Sequence, residues 1–158
     1  MKQLLVYRHA KTEGTGPDGS DHSRPLRPDG VDVARRTGIR IAKREIVPER
    51  IVSSDAVRAT ATAEITAEAC GYEDEIVTMR ELYDGTAETY LTVIRSCPDT
   101  VNRFMIVGHN PSIESLIEIV VGRYVQVRTG SLLYLVLPIS RWAELGPGTE
   151  YDVLEVVR

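Results

Sequence analysis

Two of the three histidines in this 158-residue chain, His9 and His109, stand directly after short apolar runs. "LLVY" ends in Arg8 and His9, "FMIVG" ends in His109, and a third run, "IVSS", leads within four residues to Arg58. A solitary histidine at the end of a strand is most often a hydrogen-bonded rim residue. Two histidines and two arginines on one rim, beside Ser53 and Ser54, are harder to explain in that way. Clustered positive charge is costly unless an anion compensates it. The planar fork of arginine donates parallel hydrogen bonds to tetrahedral oxyanions. Arg58 also falls near the first turn of a predicted helix, where a cation is unfavourable beside the positive end of the helix dipole unless something negative binds there. The set asks for a phosphate.

These residues share a rim only if the runs before them are neighbouring strands. Short β-branched or apolar runs bounded by turn residues predict strands at Gln3–Tyr7, Arg50–Ser53, Glu75–Thr78, Arg103–Val107, Ser131–Leu137 and Asp152–Val156. Helical spacing predicts helices at Val31–Glu45, Ala56–Cys70, Ala87–Ser96 and Ser112–Val121, with Gly38 weakening the first. Alternation of the two predicts an α/β fold, a three-layer α/β/α sandwich with a mostly parallel central sheet buried on both faces. In such sheets ligands sit beyond the carboxyl ends of the strands, where Arg8, His9, Arg58 and His109 all fall. Gly108 and Pro111 read as a tight turn followed by a helix start. The stretch Glu13–Gly30, with its glycines and prolines, is a long loop of the kind that usually carries function.

Length and composition fit a single domain spanning 1–158, able to bury roughly 70% of its unfolded surface without disulfides. With 42% hydrophobic and 27% charged residues and a net charge of -4, the chain has no general electrostatic footprint for nucleic acid. Cys70 and Cys97 form neither a disulfide framework nor a metal-ligand pattern, and read as reduced packing residues. No apolar run approaches the roughly 18 residues of a membrane span, and the N-terminus is too short for a signal-peptide core. A cytoplasmic protein is expected, with no membrane or nucleic-acid partner, no cofactor and no metal.

The chain resembles the histidine phosphatase superfamily, the phosphoglycerate-mutase-like group, and within it the SixA-type phosphohistidine phosphatases. The resemblance rests on "YRHAKTE", "DHSRPLRPDG", "VSSDAVRATATA", "ELYDGTAETYL" and "IVGHNPSIE", which occur in family order and cover most of the chain. It implies a phosphoglycerate-mutase-like fold and a phosphatase in which His9 is the nucleophile, forming a phosphohistidine enzyme that water hydrolyses. Arg8, Arg58 and His109 would hold the equatorial oxygens, with His109 protonated beside the phosphoryl group. Arg24 is a candidate substrate contact, or equally a loop-ordering salt bridge, and Lys11 and Thr12 follow at the rim. The substrate implied is phosphohistidine on a signalling protein, such as a histidine-containing phosphotransfer domain.

The general acid that many relatives use is not identified. Asn110 stands where one branch carries that acid, and the nearest carboxylates for the other branch are Glu81 and Asp84, which also read as solvated turn residues. A phosphorylated imidazole leaves more readily than an alkoxide, which favours a phosphoramidate substrate. Three alternatives remain at this level: a small-molecule phosphomonoesterase of the same superfamily, a mutase, and a non-catalytic phosphate-binding adaptor. "CPDTVNR", from Cys97 to Arg103, also fits the C-x5-R pattern of cysteine-dependent phosphatases, although it leads from a helix into a strand. Trp142 looks exposed, and with the strand Ser131–Leu137 suggests a sheet edge or an interface.

Overall fold

The computed structural model describes residues 1–157. Six strands form one sheet: β1 (Lys2–Arg8), β2 (Arg50–Ser54), β3 (Ile76–Met79), β4 (Arg103–Gly108), β5 (Leu132–Leu137) and β6 (Val153–Val156), in the order β3-β2-β4-β1-β5-β6. β1 to β4 are mutually parallel, while β5 runs antiparallel to both β1 and β6. The helices are α1 (Pro28–Lys43), α2 (Val57–Cys70), α3 (Glu81–Asp84), α4 (Ala87–Arg95) and α5 (Ser112–Val121). This is the expected mostly parallel α/β arrangement.

Side chains alternate across a strand, so each central strand feeds two cores. In β1, Leu4 and Val6 face α4 and α5 with Phe104, Ile106, Leu91 and Ile113. Leu5 and Tyr7 face α1 and α2 with Met105, Val107, Ile41 and Ala63. All eight core-facing residues of β1 and β4 named here are fully buried, which is why those segments read as unbroken apolar runs.

Several expectations need correction. α1 begins at Pro28, three residues before the predicted start, because a proline at the first helical position lacks an N–H that would be unpaired there anyway. Gly38 does not break α1. A β-carbon there would lie 2.5 Å from Ala69 Cβ and 2.6 Å from Thr66 O, so the glycine lets α1 and α2 approach. Trp142 is fully buried, in a short 3₁₀ helix (Trp142–Glu144), packed edge-on against Phe104 at 5.8 Å. The strand Ser131–Leu137 is internal, flanked by β1 and β6, so neither feature marks an exposed edge. Among the described residues no helix is long and apolar enough to cross a membrane.

Candidate active site

The parallel register pairs Arg8 with Gly108, so the residues that follow, His9 and His109, leave neighbouring strands side by side. Adjacent strands are about 4.8 Å apart, and the two imidazole centroids are 5.1 Å apart. The backbone N–H of His9 donates to Gly108 O at 3.1 Å, which holds the two strand ends level. Both rings are buried, at 8% and 7% exposure.

His9 Nδ1 lies 2.8 Å from the carbonyl oxygen of Ala10. A carbonyl only accepts, so Nδ1 carries the proton and the neutral ring keeps its lone pair on Nε2. Burial pushes the His9 pKa down to about 4; the Ala10 bond opposes this, and Arg58, Arg8 and Arg24 reinforce it. At neutral pH the ring is therefore an unprotonated base. The turn that holds it is fixed from α2, where Thr62 Oγ1 accepts from Ala10 N–H and donates to Arg58 O.

His109 is set by different partners. Its Nε2 is 2.7 Å from Ser54 Oγ at the end of β2, and its backbone N–H donates to the Tyr90 hydroxyl at 3.1 Å. The expected tight turn at Gly108 is instead the last residue of β4. A β-carbon there would lie 2.2 Å from the Tyr90 hydroxyl, so the glycine makes room for that oxygen. Burial lowers the His109 pKa to about 3, with His9, Arg58 and Arg8 adding repulsion and Asp21 opposing them. Without a bound anion these surroundings favour the neutral ring; a negative group against it would act in the opposite direction, toward the protonated form expected beside a phosphoryl group.

Arg8 and Arg58 reach this pair from β1 and from the first turn of α2. Arg8 Nη1 donates to Val127 O at 3.0 Å. Its Nε and the Nδ1 of His109 are buried without any hydrogen-bond partner. Arg58, 7% exposed, donates Nη1 to Asp21 O and Nη2 to Asp21 Oδ2 at 2.8 and 3.0 Å. Those bonds use two of its five N–H groups and leave three.

Arg24 lies on the long loop. Its Nε donates to Glu13 O, its Nη1 to Asp21 Oδ1 and its Nη2 to Thr12 Oγ1, all within 2.9 Å. Of its two readings, the structure displays the loop-ordering one. Lys11 is exposed and 4.0 Å from Asp29. Glu81 and Asp84 are exposed on α3, and Tyr83 between them turns inward to meet His109 edge-on at 5.6 Å. The Asn110 side chain is committed, with Nδ2 donating to Val127 O and Oδ1 accepting from Glu114 N–H.

Sequence reasoning missed Asp21, Ser54 as a partner of His109, Tyr83, Tyr90 and His22. Asp21 was visible only as part of the "DHSRPL" motif, yet it joins three elements. It accepts from Arg24, from Arg58 and from the Tyr83 hydroxyl at 2.7 Å. Those bonds, that from Tyr83 foremost, hold its carboxyl far below the usual carboxylate range. The competing cysteine motif fails on geometry: Cys97 is buried between α4 and β4, and burial pushes its thiol up to about 11.

A family model for the histidine phosphatase superfamily (branch 1) matches residues 4–127. The uncharacterized protein Rv1276c of Mycobacterium tuberculosis is 31% identical over 110 residues, 69% of this chain and 66%, just under two thirds, of that relative. Among solved structures, a protein of Agrobacterium tumefaciens provisionally assigned as the phosphohistidine phosphatase SixA superposes with a TM-score of 0.81 and 27% identity, covering 98% of this chain and 97% of that one. The protein histidine phosphatase SixA complexed with tungstate gives a TM-score of 0.82 at 18% identity, over 96% and 95% of the two chains, a likeness of fold. With the strand-end histidines and arginines assembled as described, the chain belongs to the histidine phosphatase superfamily.

Proposed function

We propose that this protein is a metal-independent phosphatase that works through a phosphohistidine intermediate on His9, and that its substrate is phosphohistidine on a signalling protein. The observation that carries the reading is the pair of buried, unpartnered nitrogens, Arg8 Nε and His109 Nδ1, in the same strand-end cluster as the free Nε2 lone pair of His9. Leaving a buried polar group unpaired costs about 1–3 kcal/mol, and a phosphoryl dianion between them would pair both.

In this reading His9 Nε2 attacks phosphorus, the bond to the leaving group breaks, and water then hydrolyses the P–N bond. Arg8, the remaining N–H groups of Arg58, and His109 stabilise charge on the equatorial oxygens as it is redistributed. As the dianion enters, its field makes His109 take up a proton, giving a charge-assisted donor at Nδ1.

The leaving group argues for a phosphoramidate. Among the described residues no carboxylic acid stands ready to protonate an alkoxide. Glu81 and Asp84 are exposed, Asn110 is an engaged amide, and Asp21 is kept ionised by its three donors. A phosphorylated imidazole needs less help. The assignment of the Agrobacterium tumefaciens relative points the same way, and a histidine-containing phosphotransfer domain is the kind of partner this implies. The test is phosphate release from a phosphohistidine-bearing protein without added metal. Wild type should release it and His9→Ala should lose at least about 10³-fold. No release by wild type, with small phosphate esters turned over instead, would replace this substrate.

A further inference from the structure

We infer that His22, held by Asp55, is the acid–base residue for the leaving group, an inference that rests on the phosphatase reading with His9 as nucleophile. His22 is the one histidine that the strand-end pattern does not explain. Of the three imidazoles it alone has a carboxylate partner. Its Nε2 is 2.8 Å from Asp55 Oδ1, whereas His9 is held by a carbonyl and His109 by a hydroxyl. A carboxylate at Nε2 fixes the tautomer and ring orientation, and leaves Nδ1 to exchange a proton with whatever faces it.

Its position is fixed from three directions. Its neighbour Asp21 is tied to Arg58 and Tyr83. The carbonyl of His22 accepts from Val57 N–H, one residue from Arg58. Asp55 adjoins Ser54, which holds His109. Tyr83 meets His22 edge-on at 4.9 Å and His109 edge-on at 5.6 Å, so His22, Tyr83, His109 and His9 form one continuous row of rings. His9 and His109 are the buried end of that row; the His22 side chain is 30% exposed, at its open end. In an in-line displacement the leaving group departs on the side of phosphorus opposite the nucleophile, and His22 is assigned to that side. Among titratable groups, Asp55 and Tyr83 meet the His22 ring, Asp21 precedes it in the chain, and Arg58 is bonded to Asp21.

In the first step His9 Nε2 forms its bond to phosphorus while the bond to the leaving atom breaks. The electron pair goes to the leaving atom, which takes the proton from His22 Nδ1. His22, now neutral and still donating Nε2–H to Asp55, then accepts a proton from the attacking water as the P–N bond of phospho-His9 breaks. Phosphate departs with both histidines restored. An imidazolium in this place, rather than a carboxylic acid, suits a leaving nitrogen that needs only modest protonation.

The test is kcat/KM, which reports the first phosphoryl transfer, for aryl phosphates from 4-nitrophenyl to phenyl phosphate. Wild type, His22→Gln, Asp55→Asn and His9→Ala are compared, with tungstate binding measured on each. For His22→Gln the loss should grow along the series, from about 3-fold on 4-nitrophenyl phosphate to about 10²-fold on phenyl phosphate. Asp55→Asn should show the same trend more weakly, and it carries the test if His22→Gln fails to bind tungstate or to fold. Equal losses on all substrates, or none, would overturn the role of His22. Wild type without activity on any phosphate, or an active His9→Ala, would instead remove the phosphatase reading on which it rests.

Discussion

Burial and positive neighbours act in the same direction on His9 and His109, holding their pKa values at about 4 and about 3. An unfolded histidine titrates near 6.5. Between those values the unfolded chain binds protons that the folded chain refuses, so stability falls as pH drops from 7 toward 4. Urea unfolding should show a loss of a few kcal/mol between pH 7 and pH 4.5. His109→Gln should remove about half of that pH dependence, and a flat profile would contradict the assigned environments. Arg8, His9, Arg58 and His109 were legible in the sequence because each follows a recognisable apolar run. Asp21, Tyr83, His22 and the bond of Ser54 to His109 were not, because these roles come from partners 33 to 62 positions away, which no local pattern records.

Between elements, the precision of the site depends on Tyr90, whose hydroxyl donates to Leu82 O at 2.6 Å and accepts from His109 N–H. One oxygen thus ties α4 to the start of α3 and to the end of β4. Gly108→Ala would drive a methyl group into that oxygen, and fully buried Tyr90 has no free space to move into. A loss of about 1–3 kcal/mol in stability is expected, with a fall in kcat as His109 shifts; unchanged melting and activity would show that the contact yields easily. The strands and four longer helices were legible from periodicity, since central strands buried on both faces leave continuous apolar runs. The starts of α1 and of the four-residue α3 were not, nor was the burial of Trp142. A single aromatic residue in a polar stretch has no period, and its burial depends on Phe104 of β4, Val101 and the Lys2 side chain, which reach it from far along the chain.

Taken as a whole, the sheet separates chemistry from support. At the carboxyl ends of β1, β4 and β2 stand the histidines and arginines. About 20 Å away along β1, Lys2 is buried and donates to Asp99 O, Val101 O and Asn102 Oδ1, while Trp142 Nε1 also donates to Val101 O. Lys2→Met removes those donors and should cost about 1–3 kcal/mol in denaturant unfolding. Activity per folded molecule should be unchanged, and a selective loss of kcat would show that the two ends are coupled. In the proposed reaction, the rigid parallel core, buried on both faces, is what would let β1 hold His9 Nε2 in place for attack. The most direct measurement of that central claim is to quench the enzyme in alkali during turnover of a phosphohistidine-bearing protein and map the trapped phosphate by mass spectrometry. Phosphate on His9 in the wild type and none in His9→Ala is the expected result. Turnover without a phosphorylated His9, or with the phosphate on another residue, would contradict it.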